Sequence, residues 1–159
     1  MTAIAPEIFK AYDIRGIVDK SLTIATATAI GRALGSAARA KNITAIVVGR
    51  DGRLSGPALA KALGQGITAA GVDVIDIGLA PTPVIYFAAH ELGTQSCVAV
   101  TGSHNPPDYN GFKMVLGGQT LYGAMIQDLY RRIASADFLT GRGRIKKATV
   151  RQAYLDRIV

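Results

Sequence analysis

Cysteine is nearly missing from this sequence. Cys97 is the only one in 159 residues, so the chain cannot form an internal disulfide. That excludes a small secreted fold held by cystine bridges and makes a reduced, cytoplasmic protein the expectation. Tryptophan is absent, and aromatic residues are 6% of the chain. None interleaves with the basic cluster Arg142, Arg144, Lys146, Lys147 and Arg151, so no stacking platform for single-stranded nucleic acid is signalled. No run approaches the ~20 apolar residues of a membrane span. The most apolar long stretch, 23–40, contains Arg32 and Arg39. The opening MTAIAPEIFK lacks the basic start and apolar centre of a signal peptide. No paired His or Cys stands at ligand spacing and the Asp residues are not clustered, so a metal site built by this chain alone is not expected. P-loop and nucleophile-elbow patterns are missing too.

Acidic residues are also scarce: 11 against 18 Lys and Arg, a net charge of +7. A basic protein favours anionic partners such as phosphorylated metabolites. The basic cluster near the C-terminus reads as a solvated or inter-domain face rather than a nucleic-acid patch. The composition supports neither nucleic acid nor a membrane as a partner.

Hydrophobic residues make up 49% of the chain and glycine supplies 18 positions. That is enough for a real core with many tight turns. Strand-like and helix-like stretches alternate. Residues 23–41 predict a helix capped by Ser21 or Thr23, with Ile30, Ala33, Leu34 and Ala37 on one stripe. Residues 57–70 predict another, with Ser55 as cap and Pro57 in the first turn; 81–92 and 122–135 predict two more. Apolar runs at 43–48, 72–77 and 96–100 predict parallel strands buried on both faces. Residues 112–116, Gly117-Gly118 and 119–121 predict a hairpin, and 112–116 comes too soon after its neighbour for a helical crossover, so it should run antiparallel.

The expected fold is therefore α/β. It is a three-layer α/β/α sandwich around a mixed, mostly parallel four-stranded sheet with one antiparallel strand. Residues 137–148 read as a linker or extended crossover, and 150–159 begin a new amphipathic pattern. This predicts one domain over 1–136, then a linker and the start of a further domain over 137–159, in a fragment of a longer chain.

Chemistry concentrates at Thr101-Gly102-Ser103-His104-Asn105-Pro106-Pro107, directly after a predicted strand. Open α/β sheets bind ligands at that edge. Gly102 permits a sharp turn and the two prolines stiffen the far side of the loop. Ser103 and His104 are thus presented rigidly, with backbone N–H groups nearby for an oxyanion. Ser103 could serve as nucleophile or phosphoryl carrier. By itself the loop fits an ordinary polar turn better. Lys113 lies ten positions on, either near the serine loop or as a solvated edge lysine. Arg15, in FKAYDIRG, either grips a phosphate or pairs with Asp13. Arg50 and Arg53, in GRDGRLSG, either face an anion at a helix start or brace their loop through Asp51. Cys97 reads as a small core hydrophobe and His90 as a surface residue at a helix end.

FKAYDIRG at 9–16, VVGRDGRLSG at 47–56 and TGSHNPPDYNGFKM at 101–114 occur in that order. Together they closely resemble the N-terminal domain of the α-D-phosphohexomutases, over nearly the whole chain. The resemblance raises Ser103 from turn residue to phosphoserine. It implies transfer of a phosphoryl group between Ser103 and a hexose 1- or 6-phosphate, of mannose or glucose, through a bisphosphorylated sugar that also acts as activator. It implies His104 beside the reacting group and Lys113 as general acid/base or charge stabiliser. Arg15 would anchor the phosphoserine region, and Tyr12 would lie near the ligand. The implied cofactor is Mg2+, bound through the phosphate on Ser103 and completed by ligands of a second domain. The implied partners are hexose phosphates and the remaining domains, so the isolated fragment should turn over little or nothing. The alternative is a non-catalytic module on the same fold that binds phosphosugars or docks a partner.

Overall fold

The protein is described by a computed structural model covering residues 4–158. A 3₁₀ turn over Pro6–Ile8 leads into β1 (Ile14–Ile17) and α1 (Ile24–Ala40). β2 (Ala45–Arg50), α2 (Gly56–Ala69), β3 (Asp73–Leu79), α3 (Thr82–Glu91) and β4 (Cys97–Val100) succeed one another in strict alternation. Then come β5 (Tyr109–Leu116), β6 (Gln119–Thr120), α4 (Ala124–Ala134), β7 (Ile145–Lys147) and α5 (Arg151–Ile158).

The sheet runs β1-β5-β4-β2-β3-β7, with β6 hydrogen-bonded to β5. β2 pairs in parallel with both β3 and β4, and β3 with β7, while β5 runs antiparallel to β1, β4 and β6. The expected α/β/α architecture is present. The sheet, however, has seven strands among the described residues rather than four, and three antiparallel pairings rather than one antiparallel strand. The added strands are short and carry weak signals. β1 is Ile-Arg-Gly-Ile, and β7 is Ile-Lys-Lys with every residue exposed. β7 falls within the segment read as a linker or extended crossover. Its alignment comes from outside the strand: Val74 donates to the Arg144 carbonyl, and the Arg144 N–H donates to Asp73 Oδ1 at 2.9 Å.

Alternation along the strands divides the core in two. Ile46, Val48, Val98, Val100, Phe112 and Met114 point to the face covered by α1, α2 and α4. Val47, Cys97 and Ala99 point to the face covered by α3 and by Val150 at the foot of α5. On the larger face α1 and α2 touch backbone to backbone. A Cβ on Gly31 would lie 2.1 Å from the Leu63 carbonyl oxygen, and one on Gly66 2.1 Å from that of Thr28. Only hydrogen fits at those crossings, so the two helices can pack this closely.

Thr23 caps α1, accepting from the Thr26 N–H at 3.1 Å. Ser55 does not cap α2 as expected; its hydroxyl accepts instead from buried Asn110 Nδ2 at 2.9 Å, tying the start of α2 to β5. Gly117 and Gly118 both have positive φ, at 58° and 80°, which suits the two-residue β5–β6 hairpin. No helix of the described residues is long and apolar enough to cross a membrane.

The strand order positions the site. From β2 the chain passes through α2 to β3 on one side, then through α3 to β4 on the other. The loops after β2 and β4 therefore leave side by side, at the point where the order reverses. In open α/β sheets that crevice is where ligands bind.

Candidate active site

The loop after β4 is held from beneath by residues of the loop after β2. Asp51 Oδ2 accepts from Thr101 Oγ1 at 2.8 Å and from the Gly102 N–H at 3.0 Å, while Oδ1 accepts from the Arg53 N–H at 3.1 Å. Arg53 then spreads its guanidinium under the loop. It donates to the carbonyls of Ser103 (3.2 Å), Asn105 (2.7 Å), Tyr109 (3.0 Å) and Pro106. The loop closes on itself where Asn105 Nδ2 and its own N–H both donate to the Gly102 carbonyl. A Cβ on Gly102 would lie 2.0 Å from Arg53 Cζ, so glycine is required for the guanidinium to reach these partners. Ser103 is left exposed at the apex with φ at 52°, in the left-handed region.

Arg15 and Lys113 come from β1 and β5, on the side of β4 away from β2. β1 pairs with β5 so that Arg15 faces Gly111, two positions from Lys113 on the same side. Phe112 and Met114 point into the larger core, so alternation turns Lys113 to the α3 side. Arg15 Nε donates to Asp13 Oδ1 at 3.1 Å, and the Arg15 side chain stays 40% exposed. Arg15 therefore pairs with Asp13, one of its two readings, and it also faces open space.

That space is a cavity of about 490 Å³. Ser103, His104, Lys113, Arg15 and Tyr12 all line it. These residues come from segments roughly 90 positions apart in the chain. Arg53 braces its loop from behind, as the bracing reading of the second motif has it, whereas Arg50 lies elsewhere, in a cleft with Lys61, Asp76 and Lys147. Residues 6–140 match the family described as phosphoglucomutase/phosphomannomutase, alpha/beta/alpha domain I. The chain belongs to this family.

Individual relatives agree. The chain is 50% identical over 161 aligned residues to the phosphomannomutase/phosphoglucomutase of Pseudomonas aeruginosa, covering 99% of this chain and 35% of that protein. It is 48% identical to a phosphoglucomutase of Neisseria gonorrhoeae, covering 100% of this chain and 35% of that one. The crystal structure of a phosphoglucomutase/phosphomannomutase family protein from Burkholderia thailandensis superimposes with a TM-score of 0.94 at 55% identity, over 98% of this chain and 36% of that chain. The chain thus spans about a third of the length of these relatives.

Three further polar residues of this phosphoglucomutase/phosphomannomutase domain line the cavity although the sequence did not single them out: Lys10, Tyr86 and Thr120. Lys10 sits in the same FKAYDIRG motif as Arg15. Thr120 comes from the β5–β6 hairpin, which folds back beside Lys113. Tyr86 leaves no mark in sequence, because α3 is apolar on more than one side. Burial raises its phenol above the ordinary value, and Cys97 beneath the helix adds to that. The cavity therefore gathers Lys10, Arg15 and Lys113 as cations, against a single acid, Asp13, already paired with Arg15. Such a site suits an anionic ligand.

Proposed function

We propose that this chain is the phosphoserine-carrying domain of a phosphohexomutase. The reaction interconverts hexose 1-phosphate and hexose 6-phosphate, of mannose or glucose, through a bisphosphorylated sugar. The observation that carries this reading is the cationic cavity around Ser103, in a domain whose relatives are named phosphomannomutase and phosphoglucomutase. In this reading residues 1–136 form the phosphoserine domain, and 137–159 lead towards further domains such as the longer relatives possess.

Phosphorylated Ser103 carries about −1.5 to −2 charge at neutral pH. In the forward step the Oγ–P bond breaks as a hexose hydroxyl oxygen bonds to phosphorus. The hydroxyl proton leaves to solvent or base, and Lys113 returns one to Ser103 Oγ. The second half-reaction reverses these roles on the sugar's other phosphate. Arg15 and Lys10 offset charge on the transferring group, His104 hydrogen-bonds beside it, and Tyr12 and Tyr86 border the sugar. Positioning and charge compensation supply most of the catalysis in such transfers.

Mg2+ fits this chain only through one donor. Among the described residues no three His, Cys, Asp or Glu stand close enough to hold a metal. Both nearby acids are engaged, Asp13 with Arg15 and Asp51 with Thr101, Gly102 and Arg53. A phosphate oxygen on Ser103 would be the donor that remains, and other ligands would come from outside this domain. When bound, the metal supplies positive charge opposite the phosphoryl oxygens.

The test is Ser103→Ala in the full-length polypeptide, with conversion of glucose 1-phosphate to glucose 6-phosphate monitored in a coupled assay. We expect turnover to fall by at least about 10³-fold, since the phosphoryl acceptor is gone. Turnover within about tenfold of the unsubstituted enzyme would overturn the reading.

A further inference from the structure

We infer that Arg53 and Asp51 form a positioning clamp that sets the reactive geometry of Ser103 without touching the substrate. The inference rests on the proposed function for its catalytic consequence, but the clamp itself stands on geometry.

Arg53 lines no part of the cavity that holds Ser103. Its side chain is 16% exposed and its hydrogen bonds go inward, to four main-chain carbonyls between Ser103 and Tyr109. A substrate-binding arginine keeps donors free; this one has committed its terminal nitrogens to the loop. Asp51 completes the clamp from the other side by holding Thr101 and the Gly102 N–H. Thr101 Oγ1 in turn accepts from the Ser103 N–H at 3.0 Å. The residue with left-handed backbone is thus fixed at its N–H through Thr101 and at its carbonyl by Arg53.

That arrangement has a chemical purpose. A serine at φ 52° is disfavoured unless its surroundings determine it. Left free, the loop would relax and Ser103 Oγ would sample many directions. In-line phosphoryl transfer tolerates little misplacement, and an error near ~1 Å costs about 10²-fold in rate. The planar five-donor fork of arginine can span several carbonyls at once, whereas a lysine ammonium at the same place cannot. Charge alone therefore does not replace it.

The experiment compares Arg53→Lys, Arg53→Ala and Gly102→Ala with the unsubstituted protein. Gly102→Ala keeps every clamp side chain but pushes the guanidinium out of place. Hydrogen exchange over residues 101–105 is read first, in this 159-residue chain, with circular dichroism to verify folding. The expected result is exchange at least about 10-fold faster at the Gly102, Ser103 and Asn105 amides in all three variants, with no rescue by lysine. In the full-length enzyme kcat should fall about 10²-fold while KM for the hexose phosphate stays within about threefold. A role confined to overall stability would lower the melting temperature without that split in folded enzyme. Arg53→Lys with unchanged exchange, or with faster exchange and unchanged kcat, would overturn the clamp. Loss of the functional reading is a separate result, visible as Ser103→Ala retaining turnover.

Discussion

Two Arg–Asp pairs sit at the same edge of this sheet, each with the acid two residues before the arginine. Arg15 and Asp13 are joined at 3.1 Å, Arg53 and Asp51 at 3.7 Å. By spacing and composition they are equivalent, and both could bind a phosphate or brace a loop. Their environments separate them. Arg15 leaves β1 on the α3 side, 40% exposed at the cavity, and Asp13 is the acid it pairs with. Arg53 is 16% exposed and donates to four carbonyls. The lesson is that an arginine's role depends on where its N–H groups are satisfied, which sequence spacing does not reveal. Arg15 retains donors for a ligand, while Arg53 has given its own to the fold.

The sharpest way to break this comparison is to remove each arginine. Arg15→Ala should reduce kcat/KM of the full-length enzyme by about 10²- to 10³-fold, as expected for losing a charge-assisted contact to a phosphoryl group. It should also destabilise the domain by about 1 kcal/mol, because Arg15 is 40% exposed but the Asp13 carboxylate it leaves behind is largely buried. Arg53→Ala should cost more, destabilising the domain by about 2–4 kcal/mol, since several carbonyls and Asp51 lose their partner together. Chemical denaturation of both variants decides it. Equal losses of stability would show that the two pairs do the same job.

The same contrast explains how much was legible in the sequence. Long apolar runs announced β2, β3 and β4, because burial on both faces leaves a continuous apolar record, and the Gly117-Gly118 turn announced the second half of β5. β1 and β7 left almost none: Arg15 and Gly16 break the first, and Lys146 and Lys147 dominate the second. Their pairing is decided by neighbours distant in sequence, Gly111 for β1 and Val74 for β7. Ser103, His104, Lys113, Arg15 and Tyr12 were all legible as motif residues, and the cavity gathers them. Tyr86 was not, because its place depends on how α3 lies over β2 and β4. Nor did the sequence distinguish brace from anion site in GRDGR, a distinction made by a loop roughly 50 positions away.

Replacing the acids sharpens the comparison on a smaller scale. Asp51→Asn forces an amide donor against either the Thr101 hydroxyl and Gly102 N–H or the Arg53 N–H, since both carboxylate oxygens accept, and should cost about 1–2 kcal/mol. Asp13→Asn weakens one pairing, with Arg15, at a largely buried side chain, and should cost about 1 kcal/mol, at the low end because one partner is affected rather than three. Thermal melts of the two variants side by side test the ranking. An Asp13→Asn midpoint as low as that of Asp51→Asn would mean that the Arg15 pair, too, is part of the frame.

The smallest effect concerns β4, the strand from which the serine loop springs. Cys97 begins that strand, buried, and burial pushes its thiol up to about 12. A thiol in the unfolded chain ionises near ~8.5. Between those values the unfolded state gives up a proton that the native state keeps. Stability from this group is therefore complete below about pH 8.5, and it is lost as pH rises towards 12. The thiolate is the reactive form, so at about pH 8 a disulfide reagent should modify Cys97 at least about 10²-fold more slowly in the native protein than in denaturant. This rate reads out the comparison directly: Arg15→Ala should leave it unchanged, whereas Arg53→Ala, by loosening the loop at the end of β4, should speed it. Faster labelling in the Arg15 variant, or equal protection in both, would argue that the clamp's influence stops at the loop and does not reach the strand.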